Sequence, residues 1–256
     1  MMRVDQTPIQ RWDGKALNID TDHLASERIL EIRANSKVLT RLLCSKGQEI
    51  DLAIGHLLSE GFCKYDDINS ITFEEGIVSI EVEFELKRLN YSEIVSSSCG
   101  ACDRDEFNTL SDGIPQSTRP LFSVKLLAKS LEEMRARQVQ FAKSGGMHCS
   151  ALVDIQGVIH YIAEDIGRHN ATDKVIGMAS REGKRLEQYG LLLSGRCAWD
   201  LCSKAIRAGV ACVASIGAIS DLAAETARAN LLPLAGFLRE SNGVIIGKFQ
   251  ETNEQH

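Results

Sequence analysis

The chain has 256 residues, of which 44% are hydrophobic and 25% charged, values typical of a globular protein that can bury a sizeable core. Its formal net charge of −6 argues against general nucleic-acid binding, which requires a basic face, but it permits a local basic pocket. The first residues lack the apolar segment of a secretory signal, and no apolar run has the length of a membrane span. We therefore expect a cytoplasmic protein that binds neither nucleic acid nor membrane.

The first part of the chain predicts a small α+β unit. Residues 1–20 are polar and aperiodic and predict an arm. Two strands are predicted next, at 28–34 and 37–44. A helix follows whose apolar face spans 50–58 and which Gly61 terminates as a C-cap glycine, and then two more strands, at 68–74 and 77–86. This ββαββ order predicts a roll domain, which with its arm spans residues 1–95.

A cysteine pair lies between the two parts of the chain. Cys99 and Cys102 are three positions apart, with Gly100 behind the first and three serines before it, a composition that predicts an exposed, mobile loop at 96–115. The remaining cysteines lie in apolar or helical patterns and predict small buried hydrophobic residues; they are Cys44, Cys63, Cys149, Cys197, Cys202 and Cys212. Half of a zinc site is the alternative for the pair, but a second close cysteine pair is lacking. Redox or sulfur-carrying chemistry is favoured.

The second part of the chain, 116–256, alternates strands with helices. This alternation predicts an α/β sheet covered on both faces. The predicted helices are 123–143, with Ser123 as N-cap, 168–181, 199–208 and 221–229. The predicted strands are 148–155, 158–163, 190–194, 211–216, 233–237 and 243–247.

Two strand-to-helix turns in this unit are suited to anions. Glu164–Asn170 and Leu193–Arg196 each place small residues and an arginine, Arg168 or Arg196, at a predicted helix N-terminus. Free N–H groups, the helix dipole and a guanidinium all favour phosphate. The alternative is that the two arginines form structural ion pairs with nearby aspartates, namely Asp165, Asp173 or Asp200.

Histidines and a late turn are further candidates for the site. His169 and Asp173 are four apart on one predicted helix, so Asp173 is expected to orient the imidazole; a surface pair is the alternative. His148 follows a Gly145-Gly146 pair and is either a site residue or a core histidine. The segment 236–243 predicts either a plain hairpin or a loop around a ligand. A zinc deaminase pattern is absent from the sequence.

These pieces together resemble the formate dehydrogenase accessory sulfurtransferase family, FdhD. The stretch from Ser97 to Cys102 is similar to the family's SSCGxCG loop, and Gly145–His148 to its GGxH segment. The most specific block, Glu164–Lys174, is similar to ED[VI]GRHNAxDK. Two shorter blocks also match, Ser194-Gly195-Arg196 and Gly236–Arg239. Asp103, where the family has glycine, and Cys197–Asp200, after the SGR block, depart from the pattern.

The resemblance implies a fold, an activity and a set of partners. The larger domain is expected to be a cytidine-deaminase-like three-layer α/β domain that has lost its zinc chemistry. The protein is expected to be a homodimer that carries persulfide sulfur from a cysteine desulfurase to the molybdenum or tungsten bis-pterin guanine dinucleotide, for formate dehydrogenase. That cofactor is a bound substrate, and no metal is bound directly by the protein.

The resemblance also assigns roles to residues. Cys99 is expected to carry the persulfide and Cys102 to receive or resolve it. The residues expected to bind the cofactor are His148, Gly167, Arg168, His169, Ser194, Gly195, Arg196, Phe237, Leu238, Arg239, Glu240, Ser241 and Asn242. Two other functions stay open: a CxxC thiol-disulfide oxidoreductase, and a cofactor-binding chaperone in which the thiols play no part.

Overall fold

The structure, a computed structural model, describes residues 6–83, 94–95 and 119–250. Cys99 and Cys102, and the end of the strand predicted at 77–86, lie outside these residues. The described chain is a mixed α/β protein with a two-stranded, a five-stranded and a six-stranded sheet. The predicted α/β class is confirmed, whereas the likeness to the deaminase fold stays a prediction. None of the described helices has both the length and the apolarity needed to cross a bilayer.

The chain begins with an antiparallel ribbon of β1 (Gln6–Trp12) and β2 (Leu17–His23). No strand was predicted in these residues, which the sequence indicated only as an arm. The turn between the strands is closed by Asp13, whose Oδ1 accepts the backbone N–H groups of Lys15 and Ala16, each at 2.9 Å. Most side chains of the ribbon are exposed, so hydrophobic periodicity gave no signal for it.

The five-stranded sheet contains the four predicted strands of the ββαββ unit and one further strand, β7. Its strands are β3 (Arg28–Ala34), β4 (Lys37–Cys44), β5 (Ile68–Glu74), β6 (Ile77–Val82) and β7 (Ile94–Val95), in the order β5-β6-β3-β4-β7. Asn35 and Ser36 adopt positive φ values of 47° and 65°, as a tight hairpin turn between β3 and β4 requires. Helix α1 (Glu49–Ser59) packs its apolar side chains on this sheet and shares its core.

The six-stranded sheet forms the centre of the second part. Its order is β13-β12-β11-β10-β8-β9. The strands are β8 (His148–Val153), β9 (Ile159–Asp165), β10 (Gly190–Leu193), β11 (Cys212–Ser215), β12 (Leu234–Gly236) and β13 (Val244–Ile246). One face packs on α2 (Val124–Ala136), and the other on α4 (Arg168–Arg181), α5 (Trp199–Ala208) and α6 (Asp221–Ala229). Both faces are covered, as predicted.

The single helix predicted at 123–143 is wrong, because it is divided into α2 and α3 (Val139–Ser144). Ser123 caps α2 as predicted, its hydroxyl accepting the Leu126 N–H at 3.4 Å. Glu164 then supplies a second start: its two carboxylate oxygens accept the N–H groups of Gln140 and Phe141 at 2.8 and 2.7 Å. A carboxylate at a helix N-terminus satisfies free donors and complements the dipole, which stabilises the break.

Helices α1 and α4 join the two large sheets by an unusually close crossing. A Cβ built at Gly55 would lie 1.7 Å from the Asp173 carbonyl oxygen, and one at Gly177 would lie 1.9 Å from the Asp51 carbonyl oxygen. No side chain fits at either contact. The two glycines therefore set the separation of the five-stranded sheet from the helices that cover the six-stranded sheet.

A buried ion cluster lies beside this crossing. Asp173 accepts the hydroxyl of Ser59 at 2.7 Å, and its two oxygens lie 3.0 and 2.9 Å from Lys204 Nζ. Lys204 also contacts Glu60 at 2.6 Å, and His56 Nδ1 lies 3.4 Å from Asp173. Burial by itself raises the pKa of Asp173, but Lys204, followed by His56 and Ser59, lowers it to about 2. The predicted pairing of Asp173 with His169 is wrong.

We predict that Gly55→Ala and Gly177→Ala destabilise the protein. Intrinsic helix propensity favours alanine over glycine by about 1 kcal/mol, so a stabilised variant would contradict the close crossing. The added Cβ instead meets backbone carbonyl oxygen, and overpacking of this kind costs roughly 1–3 kcal/mol or more. Urea unfolding at equilibrium measures the sign directly.

We also predict that Lys204→Met costs about 3–5 kcal/mol, because it leaves the buried Asp173 carboxylate without its cation. The double variant Lys204→Met/Asp173→Asn should be more stable than Lys204→Met alone. Because the folded pKa of Asp173 is lowered, its contribution is complete above pH 3.8 and is lost as the pH falls towards about 2. Unfolding free energies of the wild type and the double variant should therefore converge over that pH range; strict additivity of the two substitutions would contradict the pairing.

Candidate functional site

The candidate site lies along one edge of the six-stranded sheet. Strands β9, β10, β11 and β12 run in the same direction, and β8 runs opposite to them. The segments that follow the four strands therefore meet at one edge, together with the start of β8. This edge holds the turn at 166–169, the turn at 194–196, the segment 237–242 and His148, which were predicted to form one site.

Backbone hydrogen bonds connect these segments in series. Cys149, next to His148, exchanges bonds with Ser194: its carbonyl accepts the Ser194 N–H at 2.9 Å and its N–H donates to the Ser194 hydroxyl at 2.8 Å. The Gly217 N–H donates to Gly195 O at 3.1 Å, and the Phe237 N–H donates to Gly217 O at 2.8 Å. The relative positions of the segments are therefore fixed by the main chain.

The first turn of α4 carries two of the predicted ligand residues. Gly167 is the N-cap and provides no side-chain cap. Arg168 Nη2 lies 2.8 Å from Asp200 Oδ2, and His169 Nε2 contacts the same oxygen. The ion-pair alternative therefore applies to Arg168 in this structure. Burial raises the pKa of Asp200, but His169 and Arg168 outweigh it and hold that pKa well below its usual range.

The turn after β10 presents the second arginine differently. The side chain of Arg196 is exposed, and within the described residues it makes no hydrogen bond or ion pair. A Cβ at Gly217 would lie 2.7 Å from the Arg196 backbone nitrogen, so only glycine allows the turns after β10 and β11 to pack this closely. Among the described residues Arg196 thus has no charged partner, whereas Arg168 pairs with Asp200.

His148 lies behind these two turns. The ring is half-buried, and a Cβ built at Gly195 would lie 3.4 Å from its Nδ1. Burial lowers the pKa of His148, and electrostatic interactions with the neighbouring Arg168 and His169 lower it further. The imidazole is therefore neutral at neutral pH and keeps one ring nitrogen as a hydrogen-bond acceptor.

The segment after β12 contains one exposed and one buried apolar side chain. Phe237 is 53% exposed and has φ +48°, a conformation that aromatic residues rarely adopt and that is often retained at functional sites. Leu238 is 2% exposed and belongs to the core that packs on α2. Phe237 is therefore not a core residue, whereas the side chain of Leu238 does not reach the surface where a ligand would bind.

The rest of this segment forms a turn. The Arg239 N–H donates to Asn242 O at 2.8 Å, and its Nη1 donates to the carbonyls of Ile216 and Leu238 at 3.1 and 2.8 Å. Glu240, Ser241 and Asn242 are exposed. They line an open cleft together with Val124 and Lys125 at the start of α2.

The block Glu164–Lys174 has a structural function that the sequence did not reveal. Asp165 is fully buried and accepts the Ser45 N–H at 3.0 Å, the Gly167 N–H at 2.9 Å and Asn170 Nδ2 at 2.9 Å, while Lys174 Nζ lies 2.7 Å away. The conspicuous charges of the block therefore join the two sheets. Sequence analysis also did not predict the contributions of Ser45 and Gly217, which belong to no recognisable motif.

The described cysteines are poor nucleophiles. All are free thiols, and five are buried as predicted, whereas Cys63, which was also predicted to be buried, is half-buried. Burial raises the pKa of the Cys44 and Cys63 thiols to about 11, and that of Cys149 and Cys202 to about 12. Because the thiolate is the reactive form, these side chains are inert at neutral pH.

The chain enters residues 96–115, here called the cysteine stretch, close to the first turn of α4. Strand β7 ends at Val95 and runs parallel to β4, with Val95 opposite Leu42. The next residue of β4, Leu43, accepts a hydrogen bond from Asn170 at 2.7 Å. Cys99 follows Val95 by four residues, a chain length that reaches at most about 14 Å.

Comparison with known proteins identifies close relatives. The family model described as "FdhD/NarQ family" matches residues 25–251. A "Sulfur carrier protein FdhD" from Saccharolobus solfataricus is 36% identical over 252 residues, covering 93% of this chain and 94% of that protein. One from Streptomyces avermitilis is 34% identical over 250 residues, with 89% and 87% covered. A crystal structure of a candidate formate dehydrogenase accessory protein from Desulfotalea psychrophila has a TM-score of 0.75 at 18% identity, covering 95% and 96% of the two chains.

We predict that Phe237→Ala leaves the melting temperature within about 2 °C of the wild-type value, since its ring is not part of the core. Its neighbour provides the matched control: Leu238→Ala removes a buried side chain and should cost roughly 2–5 kcal/mol. Thermal unfolding of the two variants side by side tests the assignment. A large loss in Phe237→Ala would mean that the exposed ring stabilises the fold.

Proposed function

Because the chain belongs to the FdhD/NarQ family, we propose that it is a sulfurtransferase that carries persulfide sulfur on Cys99. The donor is a cysteine desulfurase. The acceptor is the molybdenum or tungsten bis-pterin guanine dinucleotide, which is sulfurated before it enters formate dehydrogenase. The names of the relatives, sulfur carrier and formate dehydrogenase accessory protein, support this assignment. We further propose that the protein acts in the cytoplasm as a homodimer, as the resemblance implies.

The observation that carries the proposal is the position of β7. Its pairing with β4 starts the cysteine stretch beside the first turn of α4, and Arg168 and His169 lie on that same turn. A sulfur carrier needs its thiol within reach of the acceptor, and four residues of chain span up to about 14 Å. The pairing of β7 with β4 also allows an anion to bind at the neighbouring edge of the six-stranded sheet.

Loading is a thiol exchange. The Cys99 thiolate attacks the outer sulfur of the desulfurase persulfide, the sulfur–sulfur bond of the donor breaks, and the donor cysteine leaves as a thiolate. The outer sulfur is thereby transferred to Cys99. No external oxidant or reductant is consumed, because one sulfur–sulfur bond replaces another.

Delivery as sulfide requires two electrons, and Cys102 supplies them. The Cys102 thiolate attacks Sγ of Cys99 and forms the Cys99–Cys102 disulfide, while the bond to the outer sulfur breaks; this sulfur leaves with the bonding pair and, with the proton that Cys102 released, forms HS⁻ for the acceptor. A cellular dithiol then reduces the disulfide for the next cycle. Asp103 disfavours ionisation of Cys102, which favours Cys99 as the first nucleophile.

The residues at the sheet edge fit the guanine dinucleotide part of the acceptor. Arg196 is exposed and unpaired among the described side chains, so it would bind a phosphate without breaking an existing ion pair. Phe237 presents an exposed ring for stacking on guanine or pterin. His148 offers a neutral ring nitrogen as an acceptor for a base N–H.

We predict that Cys99→Ala abolishes persulfide loading. Intact-mass spectrometry after incubation with a desulfurase and cysteine should show the addition of sulfur to the wild type and none to this variant. Cys102→Ala should still load sulfur but release little sulfide. Equal loading of Cys99→Ala and wild type would exclude Cys99 as the carrier, and an oxidoreductase would instead show a stable disulfide without added sulfur.

We predict that Arg196→Ala weakens GDP binding by roughly 1.5–3 kcal/mol, the range for hydrogen bonds to charged groups. Arg196→Lys should give an intermediate affinity, because lysine keeps the charge without the two parallel donors. Arg228→Ala, near the far end of α6, is the control and should not affect binding. Isothermal titration calorimetry measures all four proteins, and an unchanged affinity in Arg196→Ala would exclude this arginine.

A further inference from the structure

Asn170 makes two hydrogen bonds that cross from one sheet to the other. It is the third residue of α4 and is 5% exposed. Its amide nitrogen donates to the carbonyl of Leu43 at 2.7 Å and to Asp165 Oδ1 at 2.9 Å. Both amide hydrogens are therefore used, and each acceptor belongs to a different part of the chain. A primary amide is the uncharged group that can donate two hydrogen bonds from one nitrogen.

The strand that Asn170 contacts is the one that supports the cysteine stretch. Leu43 lies in β4, and its neighbour Leu42 is opposite Val95 in β7. Three more contacts fix Ser45, the residue directly after β4. Its N–H donates to Asp165 at 3.0 Å, and its hydroxyl accepts the Ile166 N–H at 3.0 Å. Its carbonyl accepts a hydrogen bond from Lys174 Nζ at 3.3 Å. The end of β4 is therefore held against the start of α4.

We propose that Asn170 is a positioning residue for sulfur transfer, an inference that rests on the proposed function. It fixes the β4–β7 pair, and with it the starting point of the cysteine stretch, relative to Arg168 and His169. These two residues directly precede Asn170 on the same helical turn, so one side chain sets both the ligand-binding turn and the support of the thiol. Asn170 contacts neither the sulfur nor the acceptor.

The proposal separates the two halves of the reaction. Loading by a desulfurase requires access to Cys99, so Asn170→Ala should load sulfur at the wild-type rate. Transfer to the acceptor requires in addition that Val95, where the chain leaves the sheet, keeps its distance from the sheet edge. A displacement of about 1 Å costs up to 100-fold in rate, so the rate of sulfide delivery to the cofactor should fall by about 10-fold to 100-fold. GDP affinity should change less than about threefold, because Arg196 and Phe237 are unaffected.

Thr172→Val is the matched control. Thr172 is also fully buried in α4, and its hydroxyl lies 2.9 Å from the hydroxyl of Ser150 in β8. The substitution therefore removes a buried hydrogen bond of the same helix without affecting β4. Ser45→Ala is a second test variant, because it removes the acceptor of the Ile166 N–H at the same junction, and it decides the outcome if Asn170→Ala does not fold.

Hydrogen exchange supplies a readout that does not depend on activity. In Asn170→Ala and Ser45→Ala, peptides covering 37–45 and 94–95 should exchange faster than in wild type, with no such change in Thr172→Val. Faster exchange together with slowed transfer and normal loading supports the proposal. Normal transfer by a folded Asn170→Ala, or an equal loss in Thr172→Val, overturns it. If wild type itself fails to load sulfur, the proposed function is wrong, and the exchange result then reports only on the junction.

Discussion

The buried carboxylate of Asp165 is the contact on which the arrangement of the two sheets depends. It ends β9, lies next to the start of α4, and accepts hydrogen bonds from Ser45 and Asn170 while Lys174 neutralises its charge. Removing a carboxylate from water is costly unless every lone pair is satisfied, and here both oxygens have donors. The donors come from the residue directly after β4 and from α4. All hydrogen bonds of the carboxylate therefore form only when the end of β4 and the start of α4 are correctly placed relative to each other.

The glycine crossing and the second ion cluster have the same consequence. Gly55 and Gly177 permit α1 and α4 to approach until backbone meets backbone, and Asp173 and Lys204 then neutralise each other at the buried side of that crossing. The buried charged side chains on and around α4 thus form ion pairs with each other inside the protein. Arg196, on the turn after β10, is exposed and has no acidic partner among the described side chains. This separation is what the proposed binding of a phosphate at the sheet edge requires of a protein with a net charge of −6.

Hydrophobic periodicity was sufficient to predict most elements of the fold. Helices 168–181, 199–208 and 221–229 begin and end where they were predicted, since each has a clear apolar face and a polar or glycine boundary. The β1–β2 ribbon was missed because it buries too little to show alternation. The division of α2 from α3 was missed because its cause, Glu164, is distant in sequence.

The candidate site was predictable in its location but not in its charge pairing. Parallel strands bring their carboxyl ends to one edge whatever the details of the side chains, so the turns after β9, β10 and β12 could be placed together. Which aspartate pairs with which cation depends on helix packing. His169 is four residues from Asp173 in sequence, but it contacts Asp200. Asp173 is instead buried beside the crossing of α1 and α4, where it pairs with Lys204 of α5. Sequence spacing within one helix cannot report a partner on the next helix.

The protein also has to restrict sulfur chemistry to one place although it contains eight cysteines. Burial solves this for the described thiols: it raises their pKa, so that almost none is ionised at neutral pH, and a protonated thiol neither attacks a persulfide nor exchanges with a disulfide. A thiol that must react is consequently expected outside the core, and such a thiol loses the fixed position that packing would give it. The pairing of β7 with β4, and the hydrogen bonds that link β4 to Asn170 and the residue after it to Asp165, fix the chain at Val95, four residues before Cys99.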